Sequence, residues 1–265
     1  MSIFPLALVG CGNMGAALVR GVRKVFPEGE IRLVDPDAAK VAELVESGTG
    51  VASSLPDGLR GARLVVLAVK PQMLHAVAQG LKGHLESQTL VVSILAGVGL
   101  TRLKAELGVS RVARTMPNLP LMVGMGATAL AVDALDAVDL DACRTLLRSA
   151  GRLVEVGEAQ LDAVTGLSGS GPAYVLRFLQ ALEDGGVMAG LARPVSRELT
   201  LATLEGTIAL LRSSGLEPDV LRGQVTSPGG TTIYGLKAME DRAFYAAVMD
   251  AVLAATMRSK ELGAA

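Results

Sequence analysis

Apolar residues in the first part of the chain come in short unbroken runs, and the stretches between them carry helical spacing. Leu6–Val9 ends in glycines and is followed by helical spacing over residues 14–24. Ile31–Val34 closes on Asp35-Pro36-Asp37, and Ala38–Glu46 has helical composition. Residues 64–69, 90–95 and 109–113 are further runs rich in Val, Ile and Leu. Unbroken runs of this kind, alternating with helices, predict a parallel sheet buried on both faces. Right-handed crossovers make such a sheet doubly wound. From Glu158 onward no run reads as a strand. Helical spacing covers residues 160–167, 173–189, 196–212, 236–238 and 244–261, punctuated by Pro194, Gly215, Pro218 and Pro228. Two domains are expected, an α/β domain over residues 1–158 and an all-helical one over 159–265. The compositionally biased segment 131–142 leads into a helix for which Asp139 is a candidate cap.

The helical half carries more apolar surface than a small domain can hide in itself. Ala173, Leu176, Leu179 and Leu182 form one stripe, which Val175, Phe178 and Ala181 widen. A helix apolar over most of its girth has to be covered. A second copy of the chain is the expected cover, which makes this a dimerisation domain and the protein a homodimer.

Composition narrows the remaining classes. Half of the 265 residues are hydrophobic, but only 3% are aromatic and Trp is absent, so the core is aliphatic. A net charge of −1 leaves no electrostatic footprint for nucleic acid. Cys11 and Cys143 match no metal spacing and no disulfide framework, so no metal site is expected. The N-terminus lacks a basic leader, and its apolar run is too short for a signal peptide. With no apolar stretch of roughly eighteen residues, no membrane span is indicated. A soluble cytoplasmic protein is the expectation.

Candidate chemistry begins at Gly10-Cys11-Gly12-Asn13-Met14-Gly15, directly after the first strand and at the opening of the first helix. In that setting Gly10 makes the tight turn, Gly12 lets the backbone approach a pyrophosphate, and Gly15 lets helix and strand pack closely. The amides at Asn13 and Met14 belong to a helix N-terminus whose dipole favours an anion. Asp35 ends the second strand, where it either accepts the ribose hydroxyls of an adenosine or caps the next helix. Ala68-Val69-Lys70-Pro71 and residues 93–98, with Ala96 among them, end two more strands at the carboxyl edge, where open α/β sheets bind ligands. Lys70 faces either the cofactor phosphates or solvent. These features predict a Rossmann-like domain that uses NADPH or NADH. Met116-Pro117-Asn118 and Ser168-Gly169-Ser170-Gly171-Pro172 are small-residue loops able to close over the nicotinamide side.

In order along the chain, GCGNMG (Gly10 to Gly15), AVKPQ (Ala68 to Gln72), RTMPN (Arg114 to Asn118), SGSGPAY (Ser168 to Tyr174) and VTSPGGTTIYGL (Val225 to Leu236) resemble the pyrroline-5-carboxylate reductase family. The resemblance spans almost the whole chain, and its last motif is the most specific. It implies reduction of L-1-pyrroline-5-carboxylate to L-proline by a reduced nicotinamide, the last step of proline synthesis. It also implies a helical dimerisation domain with the small-molecule substrate held at the dimer interface, and dimers that in some members assemble into rings. Carried over onto VTSPGGTTIYGL, the backbone around Gly229 and Gly230 cradles the substrate carboxylate. Ser227 adds a donor, and Thr232 hydrogen-bonds the ring nitrogen. Thr231 stands where the family often has Ala and receives no role.

The residues themselves agree with that chemistry. After Glu158 there is no His, and the lysines are Lys237 and Lys260 alone. A β-hydroxyacid dehydrogenase, the nearest alternative, needs a Lys in its helical domain to move a proton at oxygen. A dinucleotide sensor, the second alternative, needs no hydroxyl-bearing loop. A protonated imine accepts hydride without a strong enzymic acid, so positioning carries much of the barrier. Asp35 would meet a 2′-phosphate with like charge. Lys40 offsets this only in part and the direction of Arg32 is open, so NADH is expected to serve at least as well as NADPH.

Overall fold

The computed structural model describes residues 3–133 and 135–264. Eight strands form one sheet: β1 (Leu6–Val9), β2 (Ile31–Val34), β3 (Val51–Ala52), β4 (Leu64–Leu67), β5 (Leu90–Ser93), β6 (Val112–Met116), β7 (Gly126–Ala131) and β8 (Gly151–Val156). Their order is β3-β2-β1-β4-β5-β6-β7-β8. From β3 to β6 every pair is parallel, with Leu8 opposite Leu33 on one side and Val66 on the other. The junction of β6 with β7 is antiparallel, and β7 and β8 are parallel to each other. The chain winds outward from β1 to β3, returns to β4 and continues the other way. That reversal puts a crevice at the carboxyl ends of β1 and β4.

Between and after the strands lie α1 (Asn13–Val25), α2 (Ala38–Glu46), α3 (Leu55–Leu59), α4 (Leu74–Leu81), α5 (Leu100–Leu107) and α6 (Ala137–Arg148). Side chains alternate across each strand. Leu6, Leu8, Leu33, Leu64 and Val66 therefore meet α1, α2 and α6 on one face. Ala7, Val9, Val65, Leu67 and Val91 meet α3, α4 and α5 on the other. At roughly 1.5–3 kcal/mol for each large aliphatic side chain removed from water, this two-sided burial is what fixes the register of the sheet.

Four strands depart from the sequence expectation. β3 has only two residues, both exposed, and β7 is GATALA, a composition poor in strand formers. β8, the edge of the sheet, has no fully buried position. The run at 109–113 is shifted, since β6 extends through Arg114, Thr115 and Met116. The helix after residue 136 is capped by Asp136, whose carboxylate accepts the Asp139 amide. Asp139 is instead buried against the Arg111 guanidinium.

The later helices are α7 (Leu161–Val164), α8 (Gly171–Met188), α9 (Arg193–Ser214), α10 (Pro218–Gln224), α11 (Thr231–Glu240) and α12 (Phe244–Ala264). A π-helical turn at Thr165–Gly169 precedes α8. Helix α10 opens on Pro218, a residue expected only to punctuate, and α11 is longer than the 236–238 expected. Two compact units result, one of residues 1–170 with 253–265 and one of residues 171–252. In the second unit the buried residues among those described are Glu183, Ser196 and Thr200, all polar. No helix among the described residues is long and apolar enough to cross a membrane.

Candidate active site

Each glycine of the first turn meets a distinct spatial demand. Gly10 has φ +99°, and a Cβ there would lie 2.6 Å from the Ala68 carbonyl oxygen. At Gly15 a Cβ would stand 2.5 Å from the Gly10 carbonyl oxygen and 2.9 Å from Ala68 Cβ, so α1 packs directly on β1 and the end of β4. A Cβ on Gly12 would meet nothing within 4 Å. Gly12 caps α1 without a side chain to accept from the helix amides. The first bond across the turn runs from the Ala16 amide to the Gly12 carbonyl, 2.9 Å. The amides of Asn13, Met14 and Gly15 therefore face an open approach, as a pyrophosphate cradle requires.

Asp35 lies at the end of β2 beside this turn. One carboxylate oxygen accepts the Cys11 amide at 2.7 Å, and the other accepts the Asp37 amide at 2.8 Å. The cap of α2 is Asp37, which accepts from Ala39. The capping alternative for Asp35 is thereby set aside. A carboxylate has about four acceptor positions, so two remain open. Lys40 pairs with Asp37 at 2.9 Å and holds that carboxyl below its ordinary range. Arg32 turns to Glu30 and to the carbonyls of Asp57 and Arg60.

Ala68 and Val69 follow β4, with the Ala68 amide bonded to the Val9 carbonyl at 2.8 Å. Lys70 is exposed and makes no ion pair among the described residues, and Pro71 opens a 3-10 turn. Ala96 is half-buried in the loop after β5. The two small-residue loops are brought together by Asn118. Its amide donates to Ser168 Oγ at 3.2 Å, and its carbonyl oxygen accepts from Ala127 at 2.8 Å. A Cβ on Gly169 would lie 2.5 Å from Met116 Cε.

In the second unit, Ser227 to Gly230 form the turn that starts α11. Gly229 has φ +67°, the Gly230 amide donates to the Ser227 carbonyl at 3.0 Å, and Gly230 is the bare cap of α11. A Cβ on Gly230 would collide with Ser227 Oγ, so that hydroxyl lies directly over the helix start. Neither Ser227 Oγ nor the Thr232 hydroxyl bonds to another protein atom among the described residues. Two hydroxyls thus flank an uncapped helix N-terminus. Tyr174, by contrast, is tied to the Ala251 carbonyl at 3.3 Å. His75 lies on the surface against Glu106 at 3.0 Å.

Sequence reading gave no role to Arg114 and used Glu158 only as a boundary. The Arg114 guanidinium is buried, 3.3 Å from Glu158 and 3.8 Å from Asp162. Glu158 also accepts the Leu100 amide at 2.7 Å. A charged residue directly after an apolar run was the available signal.

A glycine turn that opens a helix at the reversal point of a doubly wound sheet, beside a carboxylate closing the second strand, defines a dinucleotide-binding α/β protein. Comparison with known proteins makes this specific. Residues 158–262 match the family described as pyrroline-5-carboxylate reductase dimerisation, and residues 5–97 match NADP oxidoreductase coenzyme F420-dependent. The pyrroline-5-carboxylate reductase of Pseudomonas aeruginosa is 41% identical over 267 residues, covering 99% of this chain and 98% of the relative. That of Synechocystis sp. is 39% identical over 262 residues, covering 97% and 98%. A pyrroline-5-carboxylate reductase structure from Coxiella burnetii superposes with TM-score 0.91 at 30% identity, covering 98% of this chain and 99% of that one. The Plasmodium falciparum pyrroline carboxylate reductase with NADP bound gives 0.87 at 31%, covering 97% of each. The chain belongs to the pyrroline-5-carboxylate reductase family.

Cys11 lies within the glycine turn but is no nucleophile. It is 4% exposed, and burial, with the Asp35 carboxylate adding to it, pushes its thiol up to about 12. Since the thiolate is the reactive form, Cys11 in the folded protein should resist iodoacetamide at pH 7.5 over hours. Mass spectrometry of the native digest reads this directly, and rapid stoichiometric alkylation of Cys11 would contradict it.

Proposed function

We infer that this protein reduces L-1-pyrroline-5-carboxylate to L-proline with NADH or NADPH. The observation that carries the reading is the turn from Ser227 to Thr232, with its unpartnered hydroxyls on either side of a bare helix N-terminus. The Gly230 amide is turned to the Ser227 carbonyl, so the Gly229 amide and the first amides of α11 beyond Gly230, aided by the α11 dipole, hold the substrate carboxylate. Ser227 adds a hydroxyl donor to that carboxylate. Thr232 orients the ring nitrogen, which carries the proton that balances the reaction: the carbon of the C=N bond gains hydride and the nitrogen ends as an amine. The reduced nicotinamide supplies that hydride. Gly10, Gly12, Asn13, Met14 and Gly15 bind the pyrophosphate, Asp35 the adenosine ribose, and Ala68, Val69, Lys70, Pro71 and Ala96 the remainder of the dinucleotide. In functional terms residues 1–158 bind the dinucleotide, and residues 159–265 bind substrate and partner.

The protein acts as a homodimer through its helical unit. Val175, Leu176, Ile208, Leu210 and Val248 are all more than 40% exposed in the single chain, where no apolar side chain between residues 171 and 252 is buried among those described. A unit with no closed apolar core is completed by a second copy. Sedimentation equilibrium should return a dimer or a ring of dimers, and a monomer at micromolar concentration would sink the proposal. The site of action is the cytoplasm, and recovery of the native protein in a membrane or secreted fraction would contradict this.

Thr232→Ala should leave the fold and dinucleotide affinity intact and lower turnover. One positioned donor is worth on the order of 10²-fold where it meets developing charge, and less where the nitrogen is already cationic. An unchanged turnover number and Michaelis constant for the imine would remove Thr232 from the site.

NADH should serve at least as well as NADPH. Asp35 faces the glycine turn, Lys40 is engaged by Asp37, and Arg32 is engaged by Glu30 and two carbonyls. Lys40 lies close enough to feel the Asp35 charge but is held by Asp37, so it offsets the repulsion of a 2′-phosphate only in part. Asp35→Ser should shift the ratio of the two specificity constants toward NADPH. A strong native preference for NADPH would show that Asp35 does not meet the ribose.

A further inference from the structure

The loop of residues 94–99, between β5 and α5, meets the last turns of α12, which belong to the same compact unit. Gly97 in its middle is buried with φ +72°, and a Cβ there would lie 3.5 Å from the Ser259 carbonyl oxygen and 3.6 Å from the Gly263 amide nitrogen. In return, a Cβ on Gly263 would stand 2.5 Å from the Gly97 carbonyl oxygen. The two backbones therefore meet closely: at 263 the Gly97 carbonyl leaves no room for a side chain, and at 97 the left-handed φ disfavours one. The loop ends are pinned separately. Ile94 donates to the Leu67 carbonyl at 3.1 Å, and the Leu100 amide donates to Glu158 at 2.7 Å.

The helix segment that presses on Gly97 is itself held. Ser259 is 4% exposed and donates to Asp162 Oδ1 at 2.7 Å. Asp162 and Glu158 share the buried Arg114 guanidinium. The contacts close a circuit: loop end to Glu158, Arg114, Asp162, Ser259, along one turn of α12 to Gly263, and back to Gly97. In sheet order β5 is two strands from the glycine turn of β1, roughly 10 Å along the carboxyl edge. The adenosine side, marked by Asp35 on β2, lies in the opposite direction.

We propose that Gly97 and Gly263 form a backbone latch that sets the height of the 94–99 loop over the nicotinamide end of the cofactor site, with Ser259 as the positioning residue that holds α12 against it. The proposal rests on the dinucleotide reading above and adds to it a segment far along the chain. A side chain at 263 must push the loop or the helix away, and the half-buried Ala96 moves with Gly97. The pyrophosphate and adenosine contacts lie on β1 and β2 and are left in place.

The test compares two ligands on the full-length protein by titration calorimetry: NADH, and ADP-ribose, which lacks the nicotinamide ring. Gly263→Val should raise the NADH dissociation constant about tenfold while changing that of ADP-ribose less than about twofold. Ser259→Ala adds no atoms and serves where valine fails to fold. It should weaken NADH about fivefold, the worth of one hydrogen bond, again sparing ADP-ribose. Equal weakening of both ligands would reduce the contact to general stability and overturn the latch, as would unchanged NADH binding in Ser259→Ala. A wild-type protein that binds neither ligand would overturn the dinucleotide reading as well.

Discussion

Three backbone segments meet at the start of this fold with no room between them. Gly10 lies under the Ala68 carbonyl, and Gly15 lies against both the Gly10 carbonyl and Ala68 Cβ. A single methyl at either glycine would separate β1, α1 and the end of β4. That contact is the reversal point of the sheet, so the crevice, the open face of Gly12 and the orientation of the α1 N-terminus all follow from it. Asp35 extends the same constraint to β2 by accepting the Cys11 amide. One carboxylate thus both tightens the turn and, in the role proposed for it, faces the ribose. Its two jobs are compatible because an ionised carboxylate accepts more hydrogen bonds than the protein supplies here.

What could be read from the chain alone follows from how local the cause is. The glycine turn was legible because its residues, spacing and flanking strand lie within fifteen positions of each other. The strands β1, β2, β4 and β5 were legible because a strand buried on both faces is apolar at nearly every position. β7 escaped notice because small residues suffice where Gly126 and Gly151 face each other in close pairing. β8 escaped because an edge strand pairs on one side only. The direction of Arg32, the cap at Asp37 in place of Asp35, and the pairing of Asp139 with Arg111 depend on partners that sequence spacing does not specify.

The helical unit shows the same logic at a larger scale. Its apolar stripes were plain in the sequence, and within one chain they remain uncovered, while the groups it does bury are Glu183, Ser196 and Thr200 among the described residues. Glu183 takes Arg193 and Arg197 as partners, so the buried charge is matched. This unit therefore fixes the α8–α9 connection by polar contacts and leaves its apolar surface for another purpose. A family model described by dimerisation covers that same stretch.

Few of the described ionisable side chains considered for proton transfer are free to perform it, and the proposed reaction explains why that is sufficient. Cys11 stays protonated, His75 is on the surface, and Tyr174 is engaged by a carbonyl. A carbonyl substrate would need an acid at its oxygen, whereas an imine nitrogen arrives with its proton. The chain then has to supply geometry rather than acid strength: amides for a carboxylate, a hydroxyl for a nitrogen, and a rigid edge for the dinucleotide. Rigidity is what the close glycine contacts and the buried Arg114 network provide, since backbone against backbone leaves no rotamer to adjust. The distribution of glycine and the scarcity of acid–base side chains are thus two consequences of one chemical demand.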